Sequence, residues 1–368
     1  MDNHPCETCL RWGECNGIDK QCPLIKQMEG YKVNIVKPSH ELMLSNVDNP
    51  YKHIERIGRI CYRSENSITE TSAEPFCGRM FNSGHHAMLE HFRFIVAVNE
   101  IDYEYLINNP HRKYLTFTHD NGRYVVSASA RGFHDMYNAI TYDIDNKILD
   151  AMDADIAACT RDVITDIVHD IINEYHCPMM FAEHFRECDT TNIDTHIIKD
   201  FNELSDVEYH WHAWYSIHFV CDRGVTHEMV RHRDAGFAQE STRYCNYSNG
   251  KFGASITVID PLFFDENEDR KTIDGADRPV NKYDVWKTCI ENLEDAYMLL
   301  IALGAKPQEA RSILPNSLKT EIVITAQAYE WKHIFNLRVI GTTGAPHPQI
   351  KEVMEPAYNE MISKRYLR

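Results

Sequence analysis

Three arginines, Arg231, Arg233 and Arg243, fall within thirteen residues of an otherwise acidic chain. Arginine keeps its charge at any ordinary pH, and its planar fork fits phosphate or the edge of a uracil-like ring. Gln239 and Ser241 in the same run add neutral hydrogen-bonding groups. That mixture suits an anionic ligand with a polar ring. The ordinary alternative is a helix end capped by arginine and followed by a solvated loop. A second cluster opens the chain, with Cys6, Cys9, Cys15 and Cys22 spaced C-x2-C-x5-C-x6-C. Four thiolates in a segment of little apolar content can fold it around one metal, either zinc or an iron–sulfur cluster. The alternative is a tail with free thiols or disulfides. The other eight cysteines are scattered, as in a reducing cytoplasm.

Several familiar chemistries are missing. No G-x-G-x-x-G or G-x-x-x-x-G-K-[ST] is present to cradle phosphates, and no G-x-S-x-G elbow carries a nucleophile. His227-Glu228 precedes His232 by one residue too many for a zinc-protease helix; the extra step turns the second imidazole away by about 140°. His176-Cys177-Pro178 reads as a buried thiol near a helix end, because adjacent residues do not face each other.

The elements that must position these groups follow from pattern. The chain has 368 residues, 38 Lys+Arg against 55 Asp+Glu, and a formal charge of -17. That length suggests roughly two to three domains, and the ordinary apolar content is enough to fill a core. No apolar run reaches the roughly 18 residues of a membrane span, and the first residues lack a signal pattern, so a cytoplasmic protein is expected. The acidity argues against a broad nucleic-acid surface. Apolar spacing predicts strands over 31–37, 92–98, 213–221 and 319–326. It predicts helices over 51–62, 73–82, 147–175, 223–232, 283–303 and 327–337. The 147–175 helix carries Leu149, Met152, Ile156, Val163, Ile167 and Ile171 on its apolar stripe. Asn121-Gly122 reads as a hairpin turn. Residues 234–250 read as a loop, and 261–279 as an exposed acidic connection. Few strand–helix–strand units are visible, so the expected fold class is α+β, with a mixed sheet flanked by helices.

The run Arg231-His232-Arg233, followed by seven residues and Ser241, resembles the signature of the flavin-dependent thymidylate synthases, the ThyX family. Gly84-His85-His86-Ala87-Met88-Leu89-Glu90-His91 is similar to the family's G-H-x-x-x-x-E-H segment. Arg311-Ser312-Ile313-Leu314-Pro315 resembles its A-R-x-x-L-P turn, Phe335-Asn336-Leu337-Arg338 its F-x-x-L-R helix end, and His347-Pro348-Gln349 its H-x-Q. The resemblance covers roughly 31–99 and 209–360. It divides the chain into a Cys-rich lead, 1–30, and a ThyX-like catalytic domain, 31–368, interrupted by an inserted α/β segment at about 100–208.

The resemblance implies conversion of dUMP to dTMP, with methylenetetrahydrofolate as carbon donor and FAD, reduced by NADPH, as hydride source, in a homotetramer. It implies that Arg338 lies beside the uracil ring and is the catalytic residue. Glu228, Arg231, Gln239, Glu240, Ser241, Thr242, Arg243 and Arg311 fall at dUMP positions. His85, Ala87, Glu90, Arg231, His232, Arg233, Gln239, Gln327, Tyr329 and His333 fall at FAD positions. Three residues depart from the pattern: Gln327 where Asn is common, Tyr329 where Arg is frequent, and Gly236 where Ser is common. The alternative is a non-catalytic nucleotide-binding or regulatory protein that keeps the pocket. The Cys-rich lead yields its own prediction. Elemental analysis of purified protein should find zinc or iron near one site per chain, and metal-free protein would remove the metal reading.

Overall fold

The structure is a computed structural model that describes residues 33–43, 49–185, 195–250, 253–276 and 278–368. Cys6, Cys9, Cys15 and Cys22 lie outside the described residues. The first elements are β1 (Asn34–Val36), β2 (Ser39–Met43), α1 (Pro50–Tyr62), α2 (Ala73–Asn82), β3 (Arg93–Val98) and α3 (Glu100–Ile107). Then come β4 (Thr116–Asp120), β5 (Arg123–Ser129), α4 (Ala130–Asp145), α5 (Ala151–Tyr175), β6 (His196–Ile197) and α6 (Asp206–His212). The second half holds β7 (Trp214–Asp222), α7 (Arg223–Met229), β8 (Ala235–Gln239), β9 (Thr257–Ile259), α8 (Lys282–Ala302) and α9 (Pro307–Ala310). It ends with β10 (Lys319–Gln327), α10 (Ala328–Phe335) and α11 (Pro348–Ser363).

Two compact units are present. The described residues of the smaller are 33–34, 245–250, 253–257, 264–276 and 278–315, and those of the larger 35–43, 49–185, 195–244, 258–263 and 316–368. The smaller holds α8, which starts on an Asn281–Asp284 capping box and ends before Gly304, at φ +93. Residues 100–208 all fall in the larger unit.

The larger unit is built on two four-stranded sheets, ordered β2-β7-β10-β8 and β4-β5-β3-β6. The α+β class holds. Where a mixed sheet was expected, every pairing in these two sheets is antiparallel. The β4–β5 hairpin turns at Asn121 and Gly122, with φ of 50 and 78, the left-handed pair that a two-residue hairpin requires.

Alternation along β10 sorts the first sheet into two faces. Ile322 and Ile324 join Ile217, Phe219 and Trp331 in the main core. Val323 faces the other way and packs with Ala238, Met43 and the α1 residues Ile57 and Ile60. The α1 side also carries a buried polar chain. His53 meets the Ser216 hydroxyl at 3.1 Å, Ser216 meets Thr325 at 2.6 Å, and Thr325 meets His91 at 2.7 Å. This chain ties the end of the Gly84–His91 segment to the centre of the sheet.

Some expectations are corrected. The 147–175 helix begins at Ala151, on an Asp150 cap, and Met152 and Ile156 of its apolar stripe are exposed. Residues 234–250 are not all loop, because 235–239 form β8. Ala, Gly and Gln there give a weak apolar signal, and pairing to β10 decides the conformation. Helices α3, α4, α6 and α11 add to the expected set; α4 buries Phe133, Met136 and Ile140 at helical spacing, whereas α3 has no apolar period.

Burial holds His53 and His212 neutral down to about 3 and His91 down to about 4. An unfolded histidine takes up its proton near 6.5. The unfolded chain therefore binds more protons below that pH, and stability is full above about 6.5 and falls as the pH drops toward the folded-state values. Between pH 7 and 5 each histidine should cost roughly 2 kcal/mol of unfolding free energy. Urea denaturation across this range checks it; a flat profile would contradict the burial argument.

Candidate functional site

Arg338 sits in a π-helical turn, Asn336–Ile340, that widens the end of α10. Such turns reorient a side chain that an α-helix would carry elsewhere. The turn closes through Gly341, whose N–H donates to the Asn336 carbonyl at 2.9 Å. Gly341 has φ +81, and a Cβ there would stand 2.9 Å from the Gly344 carbonyl oxygen, so no other residue fits without a shift.

The Arg338 guanidinium is held on three sides. Nη1 donates to Glu228 Oε2 at 3.0 Å, Nη2 to the Glu228 carbonyl at 3.1 Å, and Nε to His232 Nε2 at 3.3 Å. Two of its five N–H donors stay free among the described residues. Glu228 is carried by α7, whose N-cap Asp222 accepts from Val225 N at 2.6 Å. Gln349, of the His347-Pro348-Gln349 turn, donates to the same Asp222 at 3.0 Å.

His232 is buried, and its Nδ1 lies 3.4 Å from Glu330 Oε1. Because Nε2 accepts from Arg338, Nδ1 carries the proton and points it at Glu330. His333 packs edge-on to His232 at 5.8 Å. His232, Glu330 and His333 have metal-ligand types within 4.8 Å of one another. The tautomer fixed by Arg338 turns an N–H of His232, not a lone pair, toward Glu330.

Arg231, Arg233 and Arg243 are exposed, and among the described residues none meets an acid. Arg243 lies over the Tyr244 ring at 5.6 Å. Ser241 Oγ accepts the Arg243 backbone N–H at 3.4 Å, and Thr242 is buried beside it. Arg311 opens a short turn in the smaller unit and is exposed there. Gln239 turns its amide nitrogen inward, to Thr226 Oγ1 at 3.0 Å.

Glu240 is buried, 3.4 Å from Arg63 Nε and 3.5 Å from Lys319 Nζ. Lys319 also contacts Glu321, which takes a 3.0 Å bond from His218. These cations hold the Glu321 carboxyl well below the usual carboxylate range despite its burial. The Glu240 side chain thus sits behind the ligand-facing residues.

His85 and Ala87 line a cleft of about 410 Å³ with Tyr62, His86, Met88 and Arg131. The Tyr62 hydroxyl meets His85 Nδ1 at 3.3 Å. Glu90 accepts from Arg131 Nη1 at 2.8 Å, while burial raises its pKa. Gly236 explains its departure from serine, since a Cβ there would lie 3.2 Å from Glu90 Cβ. Gln327 and Tyr329 are both engaged by protein groups, Gln327 with Thr116 and the Trp211 carbonyl, and Tyr329 with Asp234. Arg131, Trp211 and Asp234 were missed from sequence, where no spacing marks them.

The chain folds as an α+β protein that carries an arginine-rich candidate site around Arg231–Arg243 and Arg338. Residues 189–364 match the family model described as "Thymidylate synthase complementing protein". Among curated proteins, the flavin-dependent thymidylate synthase of Pyrococcus furiosus is 28% identical over 148 residues, 40% of this chain and 54% of the relative. The Geobacter sulfurreducens protein of that name is 30% identical over 116 residues, 32% of this chain and 43% of the relative. The chain spans about half the length of the curated relatives it matches. A solved structure, the UMP/dUMP methylase PolB from Streptomyces cacaoi bound with 5-Br dUMP, covers 91% of this chain at 12% identity and a TM-score of 0.34, too low to support an argument. Through the matched residues, the chain is similar to the flavin-dependent thymidylate synthases.

The Glu240 cluster gives a test of the site's support. Lys319→Ala leaves a buried carboxylate short of a partner and should lower the unfolding free energy by about 3–5 kcal/mol. Chemical denaturation at neutral pH measures it; a change within about 0.5 kcal/mol would mean that Glu240 is solvated.

Proposed function

We propose that the protein is a flavin-dependent thymidylate synthase, converting dUMP to dTMP with methylenetetrahydrofolate as carbon donor and FAD, reduced by NADPH, as hydride source. The observation that carries this reading is Arg338, gripped by Glu228 and His232 yet keeping two free N–H donors. The residues present suit a dinucleotide: among the described residues Arg231 and Arg233 meet no acid, on a chain of net charge -17 where such cations would ordinarily find one. When bound, the flavin supplies the hydride, and the remaining work is binding and electrostatics.

Arg338 acts on the uracil ring. Its charge favours electron density on the N3–C4 side, which makes C5 a better nucleophile toward the folate's one-carbon unit. Glu228 and His232 fix the fork, so little reorganisation is needed as that charge grows. Arg243, Ser241 and Thr242 take the dUMP end of the pocket, and Arg311 belongs to the same reading through its motif. Arg231, His232, Arg233, His333, Tyr329, His85, Ala87 and Glu90 take the flavin. Gln239, Glu240 and Gln327 act as positioning residues, because their side chains are engaged by protein. The buried cysteines support a route without an enzyme thiolate: burial pushes the Cys61 thiol up to about 12 and the Cys77, Cys177 and Cys221 thiols higher still.

Among the described residues no helix is long and apolar enough to cross a membrane. We further propose a cytoplasmic homotetramer, with Cys6, Cys9, Cys15 and Cys22 as a metal-binding lead and 100–208 as an insertion in the catalytic domain.

A flavin absorbance spectrum, and tritium release from 5-tritiated dUMP with folate and NADPH, test the activity. Arg338→Ala should suppress turnover by about 10²-fold or more and leave FAD retention within about threefold. Equal turnover in variant and parent would refute the role given to Arg338.

A further inference from the structure

The α6–α10 corner of the larger unit presents an aromatic step whose exposed member, Trp211, the chemistry above does not use. Trp211 and Tyr329 stack at a tilt, with centroids 4.8 Å apart, and His210 packs edge-on to Trp211 at 5.2 Å. Trp211 is 41% exposed, whereas Trp214 and Trp331 are fully buried. Polar bonds fix both members. The Tyr329 hydroxyl donates to Asp234 Oδ2 at 3.2 Å, and Asp234 directly follows Arg231-His232-Arg233. The Trp211 carbonyl accepts from Gln327 Nε2 at 2.6 Å, and the same nitrogen donates to Thr116 Oγ1 at 3.0 Å. Gln327 is itself buried. A large indole left partly in water, yet locked against a second ring, offers a rigid apolar face at little further entropy cost.

We propose that Trp211, stacked on Tyr329 and held in place by Gln327, is the stacking surface for a planar nitrogen heterocycle of the bound ligands. The inference rests on the flavin reading and adds to it a contact residue, Trp211, and a positioning residue, Gln327. Two sources share the required chemistry, the adenine of FAD and the pterin of the folate. The arrangement also accounts for two departures from the family pattern as one coupled change. The longer amide of Gln327 spans Thr116 and the Trp211 carbonyl together. The phenol of Tyr329 supplies a ring for Trp211 to lean on in place of a cation. Stacking is indifferent to charge, so the diphosphate is left to Arg231 and Arg233.

Full-length parent, Trp211→Ala and Trp211→Phe are titrated with FAD, FMN, methylenetetrahydrofolate and dUMP, following tryptophan emission and flavin fluorescence. The ring ligand should quench an emission component that Trp211→Phe lacks. Trp211→Ala should bind that ligand about tenfold more weakly, and Trp211→Phe within about threefold of the parent. If adenine is the ring, Trp211→Ala weakens FAD and spares FMN, which has no adenine; if pterin is the ring, folate KM rises at unchanged FAD affinity. Gln327→Asn should shift the same ligand in the same direction, and Trp211→Phe should not. In the two Trp211 variants dUMP affinity and Tm should match the parent.

Unchanged FAD and folate binding in Trp211→Ala would overturn the proposal. So would a loss of dUMP binding and Tm together, which marks a structural role, or a changed sedimentation coefficient at unchanged affinities, which marks a contact between copies. A parent that binds FMN and FAD not at all would instead sink the flavin reading on which the proposal rests.

Discussion

A guanidinium cannot shed its charge to escape a poor environment, so a partly buried arginine must be met by acceptors or by a ligand. Arg338 shows the compromise. Glu228 and His232 satisfy one side of the fork, and the other side keeps donors for something not yet there. The local architecture follows from this. The π-helical turn aims the side chain, Gly341 closes the turn, and the Asp222 cap with Gln349 steadies the helix that carries Glu228.

The same constraint sets the protonation of His232. An N–H arriving at Nε2 forces the imidazole to accept there and to donate at Nδ1, so Glu330 becomes its partner. Behind it, the α1 face of the sheet stores polarity of two kinds. Neutral His53 and His91 are joined through hydroxyls, and Glu240 and Glu321 are matched by Arg63 and Lys319. Both arrangements depend on β10 pairing with β7 and β8 in one register; a slip of one residue would turn Lys319, Glu321 and Thr325 to the opposite face.

Much of the site was legible because charge and spacing are local. Arg231-His232-Arg233 with Ser241, the Gly84–His91 run and Arg338 each announce themselves within a few residues. Strong periods also gave α1, α2, β7, β10 and the Asn121-Gly122 hairpin. The misses share one cause. β8 has Phe237 as its one large apolar residue and borrows its conformation from β10, while the short α3 and α6 depend on packing more than on pattern. Glu240 and Gln327 read as ligand residues by position, yet their side chains are engaged by Lys319, Arg63, Thr116 and the Trp211 carbonyl.

Residue types and short spacings, then, determined the α+β class, the charge reversal at Arg231–Arg243 and the candidate arginines, because each is a property of a few neighbouring residues. Only the tertiary structure decided which donors remain free, which histidine nitrogen bears the proton, and that Trp211, Gln327 and Tyr329 act as one piece. Those outcomes depend on groups about 100 residues apart meeting across a sheet, and no local pattern encodes such a meeting.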